Sequence, residues 1–407
     1  MQYVVFDDSK LGNFFPLTYT KAVFDLRIGI LKQRQRICNY FKKDIKSFVV
    51  WEELEDLYRK KHQDWQVNKI SNEDSLFINS RLRINSENTK KIINLEANSC
   101  LVSGNEILAA RFVPKTEYIN SLEIEKLFKE KRVEKIKNTS CWNYLWEIIY
   151  ENGNFIQQDF EDFFQDKDNE FTTELGVTVV NPYNIWIGEG VEIKPGVVID
   201  AGDGPVVIDE NALIMPNAVI KGSVYVGKGS RIKAGAKIYP GTSIGPVCKI
   251  GGEVEDTIFQ AYSNKQHGGF MGHSYIGEWV NIGAGTNNSD LKNNYNQVRV
   301  YSYSESEKID TEMAFVGCFI GDHSKLGINC TINTGTVIGF GCNLYGRSLI
   351  RDFVPSFSWG EYGNYGVYKL ENFLSTARIV KKRRNLNLTE EEEKLFAEIK
   401  NLEQTNR

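Results

Sequence analysis

The sequence predicts an α/β N-terminal domain over residues 1–172, a parallel β-helix over residues 173–352, and an aromatic cap with a C-terminal helix over residues 353–407. Two observations carry this prediction. Aliphatic residues recur at every sixth position through the middle of the chain. The first 172 residues lack this period and instead alternate short apolar runs with helical stretches, a pattern typical of α/β domains.

The six-residue period is regular over a long run of repeats. Its aliphatic positions are Ile208, Ile214, Ile220, Val226, Ile232, Ile238, Ile244 and Ile250. The next residue is small or polar and often glycine, which relieves the backbone at a corner. A period of six fits neither a helix nor simple strand alternation, but it fits a chain that turns a corner after each short strand. We therefore expect a stack of coils around a narrow aliphatic core.

The C-terminal tail is predicted to cap this stack. An aromatic, glycine-rich stretch precedes a helix, and Thr389 and Glu392 have the spacing of a capping box. The basic cluster at residues 381–384, KKRR, has two interpretations. It is a solvated helix face, or it is a clamp for a phosphorylated ligand such as coenzyme A.

Composition and charge exclude several classes of function. Hydrophobic residues make up 41% and charged residues 25%, and no apolar run is long enough for a membrane span. The N-terminus lacks the basic region of a secretory signal, and the seven cysteines contain no CxxC pair, so we expect free thiols and a cytoplasmic protein. A formal net charge of −4 without a basic stripe argues against nucleic acid as a partner.

The stretch from Ile250 to Ile276 interrupts the period, and it contains His267 between Lys265 and two glycines. In a solenoid an insertion leaves the stack as a loop, and loops on rigid scaffolds often carry function. His267 is therefore either a surface histidine on a flexible loop or a catalytic residue. From composition alone both interpretations stay open.

The segment HGGFMGHSYIGEWVNIGAGT resembles the acetyltransferase part of the bifunctional glucosamine-1-phosphate acetyltransferase/N-acetylglucosamine-1-phosphate uridyltransferase family. This resemblance implies a left-handed β-helix, acetyl-CoA as co-substrate and a homotrimer. It places His267 on the family's catalytic base and Asn281 on a sugar contact. Ala284 and Cys318 fall on positions of the acetyl-CoA site.

The remaining predicted substrate contacts depart from the family pattern. Phe270 replaces a tyrosine and can stack without hydrogen bonding, and Tyr239 replaces an arginine that holds phosphate. Lys237 is the substitute cation that we expect, and Lys265 is a further candidate beside His267. Glu255 falls near the family's second phosphate-holding lysine. Acyl transfer to an amino-sugar phosphate is therefore better supported than the identity of the sugar.

The N-terminal segment FDDSKLGNFFPLTYTKAVFDLRIGI resembles a variant nucleotidyltransferase domain found in a divergent branch of the same family. Only Gly12 stands where the usual phosphate loop has several glycines. Lys21 and Arg27 are the candidates for nucleotide contacts, and INSRLRIN, with Asn79 and Arg81, is similar to that branch. The resemblance implies transfer from UTP to a sugar 1-phosphate, with Mg²⁺ as a possible cofactor.

An imidazole that titrates near neutral pH suits a general base that takes a proton from an attacking amine. Two alternatives belong to other classes. In a zinc lyase similar to γ-type carbonic anhydrases, which bind metal through histidines from adjacent subunits, His267, His273 and His323 would be assembled into a three-imidazole site. In a trimeric scaffold without catalysis, the N-terminal domain would only bind a sugar nucleotide.

Overall fold

The computed structural model describes residues 1–129, 131–137, 139–167, 169 and 171–405. An α/β domain precedes a β-helix, and helices follow at the C-terminus of the chain, as the sequence predicts. The N-terminal sheet has seven strands, in the spatial order Gln66–Val67, Ser47–Val49, Gln2–Phe6, Ser75–Asn79, Glu106–Phe112, Ser99–Ser103 and Arg132–Lys135. Gln2–Phe6 is parallel to both of its neighbours. The chain first adds strands on one side of Gln2–Phe6 and then crosses to its other side with Ser75–Asn79, so the strand order reverses between these two strands.

Six α-helices accompany these strands in the described part of the chain: α1 (Gln33–Phe41), α2 (Glu55–Lys61), α3 (Ser86–Ile93), α4 (Leu145–Phe163), α5 (Leu370–Lys382) and α6 (Glu390–Thr405). The predicted capping box of α6 is confirmed. Glu392 N donates to Thr389 Oγ1 at 3.2 Å, and Thr389 N donates to Glu392 Oε2 at 3.1 Å. These two bonds satisfy main-chain donors that helix geometry leaves without partners.

The β-helix has three parallel faces. The first face, which we call the outer face, comprises the strands Thr178–Val180, Val198–Asp200, Val219–Lys221, Lys237–Ile238, Glu253–Glu255 and Phe270–Gly272. The domain face comprises Ile185–Ile187, Val206–Ile208, Val224–Val226, Thr242–Ile244, Ile258–Ala261, Tyr275–Glu278, Cys318–Ile320, Thr336–Ile338 and Phe353–Val354. The tail face comprises Glu192–Ile193, Leu213–Ile214, Arg231–Ile232, Lys249–Ile250, Asn264–Lys265, Asn281–Ile282, Lys325–Leu326, Asn343–Leu344, Ser358–Glu361 and the antiparallel Asn364–Val367.

The predicted loop between Ile250 and Ile276 is wrong, because this segment stays in the stack. Its strands occupy all three faces, and the inward positions are Val254, Phe259, Lys265 and Met271. The spacing of inward residues shortens to four or five at some corners, so the six-residue period is lost while the coils continue. His267 therefore lies on a tight corner between the tail face and the outer face.

Other short elements depart from the regular stack. Arg299–Ser302 and Glu307–Asp310 form an antiparallel hairpin that projects from it. The parallel strands also continue past residue 352, where Phe353–Val354 pairs with Val337 and Ile338 and Ser358–Glu361 pairs with Asn343–Leu344. Arg27–Ile28 and Leu31–Lys32 form a small ribbon in the N-terminal domain.

The N-terminal domain packs against the domain face. Asn152 of α4 donates to Gly241 O at 2.7 Å, and Ser243 Oγ donates to Gly29 O at 2.8 Å. Apolar residues of both parts belong to one buried cluster, in which the rings of Trp146 and Phe319 are 6.3 Å apart. The two parts therefore share a continuous apolar interface.

Candidate functional site

His267 is an exposed side chain on the corner that joins the tail face to the outer face. Strand Asn264–Lys265 precedes this corner and strand Phe270–Gly272 follows it. Within the described part of the chain, the N–H groups of Gly268 and Gly269 have no protein acceptor. An exposed imidazole thus lies beside two main-chain donors that no described protein group accepts from, and these are the groups that a general base and an oxyanion site require.

Lys265 holds this corner from inside the coil. It stands in register with Ile250 of the preceding coil, so its side chain is buried where the repeat has an aliphatic residue. Its Nζ donates to the carbonyl oxygens of Gly251 at 3.2 Å, His267 at 3.3 Å and Gly269 at 2.5 Å. Burial lowers the pKa of Lys265 to about 8. The predicted substrate contact for Lys265 is therefore wrong, because its ammonium group binds main-chain oxygens.

Asn281 and Ala284 lie on the next coil. Asn281 pairs with Asn264 and is exposed on the tail face. Gly285 N donates to Gly268 O at 2.9 Å, in the same register, so Ala284 lies opposite His267 on the neighbouring corner. The structure thus stacks Ala284 on His267 and places Asn281 three residues before Ala284 on the same coil.

Lys237 and Phe270 share the outer face. Both pair with Glu253, which lies between them, and Lys237 Nζ is 3.7 Å from Glu253 Oε2. Phe270 is half-buried, and its N–H donates to Asn287 Oδ1 at 2.7 Å. Tyr239 is half-buried just beyond the other end of the Lys237 strand, so it lies across the outer face from the corner that carries His267.

Cys318 does not offer its side chain to a ligand. It is fully buried in the β-helix core, where its Sγ lies 3.9 Å from Met271 Sδ and 3.4 Å from Ser274 Oγ. Burial raises the pKa of its thiol to about 12. The side chain therefore points inward like the aliphatic residues of the repeat, and the place of Cys318 at an acetyl-CoA site stays a prediction.

Lys21 and Arg27 are buried in the interface between the two domains. Lys21 Nζ pairs with Asp322 Oδ2 at 2.5 Å. Arg27 donates to Ile30 O and lies over the ring of Tyr225, with its guanidinium carbon 4.9 Å from the ring centroid. Groups of the protein itself bind both cations, which contradicts the predicted nucleotide contacts.

The N-terminal domain has a polar network where its strand order reverses. Arg81 Nε donates to Asp8 Oδ1 at 2.9 Å, and its Nη2 pairs with Glu106 Oε2 at 2.7 Å. Lys10 also pairs with Glu106, and Asn79 Nδ2 donates to Asp8 Oδ2 at 2.9 Å. Ligands of open α/β sheets bind at such a switch point, outside the carboxyl ends of the strands. Lys10 and the role of Asp8 were missed from sequence, although both directly follow the first strand.

These residues do not fit a Mg²⁺ site. Both carboxylates at the switch point, Asp8 and Glu106, are bound by cationic side chains. The neighbouring Asp7 is fully buried, and burial raises its pKa to about 7. Across the described ranges, no group of three histidine, cysteine or acidic residues is arranged to hold a metal ion.

The three histidines of the zinc alternative lie on three different corners. His273, between the outer and domain faces, pairs through Nδ1 with Asp290 Oδ2 at 2.8 Å. His323, between the domain and tail faces, is buried against α6, with its ring 5.2 Å from that of Phe396. One chain therefore cannot bring His267, His273 and His323 to a common ion.

Comparison with known proteins agrees with this division of the chain. Residues 3–168 match the family model described as sugar nucleotidyl transferase, and residues 205–240 match the bacterial transferase hexapeptide repeat. A bifunctional protein GlmU from Synechococcus elongatus is 29% identical over 201 residues, covering 44% of this chain and 40% of that protein. Over part of its length the chain is therefore similar to the GlmU bifunctional proteins.

Two further relatives extend the comparison. GlmU from Methanococcus aeolicus is 26% identical over 257 residues, which cover 62% of this chain and 53% of that protein. A bifunctional sugar-1-phosphate nucleotidylyltransferase/acetyltransferase from Sulfurisphaera tokodaii is 34% identical over 116 residues, or 28% of each chain. The chain thus spans between 28% and 53% of the length of these GlmU-like relatives.

Solved structures give a weaker likeness. A UDP-N-acetylglucosamine acyltransferase from Bacteroides fragilis aligns with a TM-score of 0.25 at 17% identity, covering 56% of this chain and 97% of that one. The Arabidopsis UDP-N-acetylglucosamine acyltransferase aligns with a TM-score of 0.24 at 16% identity, covering 53% of this chain and 77% of that one.

Among the described residues, no helix has the length and apolar character that crossing a membrane requires.

Proposed function

We propose that the β-helix transfers an acetyl group from acetyl-CoA to the amine of an amino-sugar phosphate, with His267 as general base. The observation that carries the proposal is the arrangement around one corner. An exposed imidazole, two N–H groups without protein acceptors and the stacked Ala284 and Asn281 lie on adjacent coils. The motif that places these residues is the one that resembles the acetyltransferase part of the GlmU family.

The reaction needs one proton acceptor and one site for developing negative charge. The amine nitrogen attacks the thioester carbonyl carbon while His267 takes a proton from that nitrogen. The N–H groups of Gly268 and Gly269 would bind the oxyanion of the tetrahedral intermediate. The carbon–sulfur bond then breaks, and the imidazolium returns the proton to the leaving thiolate of coenzyme A. General base catalysis of this kind contributes about 10²- to 10⁴-fold.

For the N-terminal domain we propose binding of a nucleotide sugar, with transfer from UTP to a sugar 1-phosphate as its reaction. The sugar nucleotidyl transferase match and the position of Lys10 at the switch point support this. Lys10 is the partly exposed cation there, whereas Arg81 is buried. Because the residues at this point do not fit Mg²⁺, the proposal contains no metal step.

The assembly and location of the protein belong to the same proposal. The resemblance to the GlmU family supports a homotrimer that binds acetyl-CoA between neighbouring β-helices, and we propose this assembly with small-molecule substrates only. The seven cysteines are free thiols, and six of them are buried. Free thiols fit a reducing compartment, so we propose a cytoplasmic location.

The test is thiol release from acetyl-CoA with glucosamine 1-phosphate as acceptor, in the wild type and in His267→Ala. We expect the variant to lose about 10²-fold or more in rate with its fold and oligomeric state unchanged. His273→Gln is the matched control, because His273 lies on a different corner of the same motif and should retain activity. A wild-type rate in His267→Ala would refute the role of His267 as general base. Pyrophosphate release from UTP and N-acetylglucosamine 1-phosphate, measured in parallel, tests the N-terminal reaction.

A further inference from the structure

Outward-facing cations form a ladder on the tail face below His267. Arg231 pairs in register with Lys249, and Lys249 pairs with Asn264, the first residue of the strand that leads to His267. Neighbouring strands are about 4.8 Å apart, so these cations lie about 5 and 10 Å from Asn264 along the stack. The ladder therefore approaches the His267 corner from the N-terminal side, opposite to Ala284.

The C-terminal tail adds a further cation to this ladder. Lys381, at the end of α5, is buried against Glu392 and pairs with it, which fixes the tail on the β-helix. Arg384 then reaches the tail face, where its Nη2 donates to Asn264 Oδ1 at 3.0 Å. Its Nε is buried and has no hydrogen-bond partner within the described part of the chain. Within the KKRR cluster, Lys381 thus has a structural role. Arg384 keeps one N–H donor, at Nε, that no described protein group accepts from.

The backbone is tightly packed beside these cations on the corner below His267. Gly251 has no side chain there, and a Cβ on it would lie 2.5 Å from Gln266 O and 3.1 Å from Lys233 Cβ. Lys233 is the corner residue of the coil below and follows Arg231 by two positions. The absence of a side chain at Gly251 therefore lets the corner that carries His267 pack closely on Lys233, which brings that lysine near the corner.

The charges in this region are not neutralised by the protein. Arg231, Lys233, Lys249 and Arg384 form no ion pair with any acidic residue among those the structure describes. Burial lowers the pKa of Lys249, and the nearby cations, first Arg384 and then Arg231, lower it further. Like charges held together in this way repel one another, and a bound anion would relieve the repulsion.

The outer face has the opposite charge at its far end, away from the corner that carries His267. Lys237 is paired with Glu253, and Glu255, Asp256 and Asp290 lie toward the far end of the same strands. Their mutual repulsion, after burial, raises the pKa of Glu255. Phosphate would be repelled there and attracted to the tail face.

We propose that Arg231, Lys233, Lys249 and Arg384 form an anion site that binds the phosphate or diphosphate of the acyl acceptor. The inference rests on the proposed acetyl transfer for the identity of the ligand. Arginine matches phosphate oxygens with two parallel donors, and lysine adds a point charge. The site holds the phosphorylated end of the acceptor beside the tail face and leaves its amine near His267. It supplies the phosphate contacts that Tyr239 and Glu255 cannot make on the outer face.

The first test is calorimetric titration of the full-length protein with inorganic pyrophosphate. We expect Arg384→Gln and Lys249→Gln each to weaken binding by about tenfold. Lys228→Gln is the matched control, since Lys228 is an exposed lysine paired with Glu210 and should bind within about twofold of the wild type. Equal affinities in all four proteins would overturn the site. His267→Ala should bind pyrophosphate normally, so this test does not depend on the proposed acetyl transfer.

The second test assigns the ligand. In the thiol-release assay, Arg384→Gln should raise KM for glucosamine 1-phosphate by about tenfold and leave KM for acetyl-CoA within about twofold. The reverse pattern would show that the cluster serves the phosphates of coenzyme A, and it would overturn the assignment to the acceptor. If neither KM changes, the cluster does not serve the reaction and the proposal fails.

Discussion

Lys265 donates a hydrogen bond from its ammonium group to the main-chain carbonyl of His267, with 3.3 Å between the two atoms. The lysine occupies an inward position of the β-helix, where Ile250 stands one coil earlier. Burying a lysine costs free energy, so its three carbonyl contacts must offset that cost. We infer that the corner around His267 is ordered by a charge inside the coil.

Lys265→Met should lower the rate of acetyl transfer without unfolding the protein. Methionine fills a similar volume but leaves the carbonyls of Gly251 and His267 without this donor. Displacement of a catalytic group by about 1 Å costs about 10²-fold in rate, so we expect a fall of about 10- to 100-fold in kcat with little change in KM. Steady-state kinetics and circular dichroism check the two expectations.

Lys325→Met is the matched control for this variant. Lys325 is also buried, and its Nζ donates to the carbonyls of Trp279 and His323 at 2.5 and 2.9 Å, on a different corner. Its pKa is lowered by burial to about 7. Equal losses of kcat in the two variants would contradict a specific role for Lys265.

The stability of the protein should depend on pH through Lys265. Its pKa is about 8 in the folded protein, against 10.5 for an ordinary lysine. Between these values the unfolded chain binds more protons, so the free energy of unfolding rises with pH, by a total of about 3 kcal/mol. Urea unfolding of the wild type and Lys265→Met near pH 7 and near pH 10 measures the difference. Parallel pH dependence in the two proteins would refute it.

Gly252→Ala should disturb the His267 corner more than Gly235→Ala. Both glycines have positive φ, +75° and +67°, and lie on corners between the tail and outer faces. A Cβ on Gly252 would lie 2.7 Å from Lys265 Nζ and 3.0 Å from His267 O, whereas one on Gly235 meets no atom within 4 Å. We expect both to lose about 1 kcal/mol to backbone strain, and only Gly252→Ala to lose acetyl transfer. Thermal unfolding and thiol release separate the two effects, and equal activities would contradict this reading of the corner.

The ion pair between Lys21 and Asp322 should couple the two domains. Asp322 also accepts bonds from Thr20 Oγ1 and Glu278 N. Lys21→Met leaves a buried carboxylate without its cation, which costs about 3 to 5 kcal/mol. The double variant Lys21→Met/Asp322→Asn should recover part of this loss. Denaturant unfolding of both single variants and the double variant completes the cycle, and additive losses would rule out the coupling.

The motif residues predicted for the site lie on neighbouring coils, whereas the charged residues Lys265, Lys21 and Arg27 are buried and bound by the protein itself. His267, Asn281 and Ala284 are stacked on neighbouring coils, and the functions assigned to them stay predictions. Lys265 was placed at the surface because it neighbours His267 in sequence, yet it points inward. The register of Lys265 with Ile250 indicates an inward side chain. The sequence does not reveal this register, because two shortened corners between the residues break the six-residue period.

The sequence by itself determined the β-helix and the α/β domain. Both depend on the local alternation of inward aliphatic residues, corner glycines and helix signals, which neighbouring positions specify. Only the tertiary structure decided which charged groups are available. Lys21 is 301 residues from Asp322, and Arg384 is 120 residues from Asn264. Such partners are set by the packing of one domain or tail on another, because a buried charge requires a counter-charge or hydrogen bonds wherever the fold supplies them.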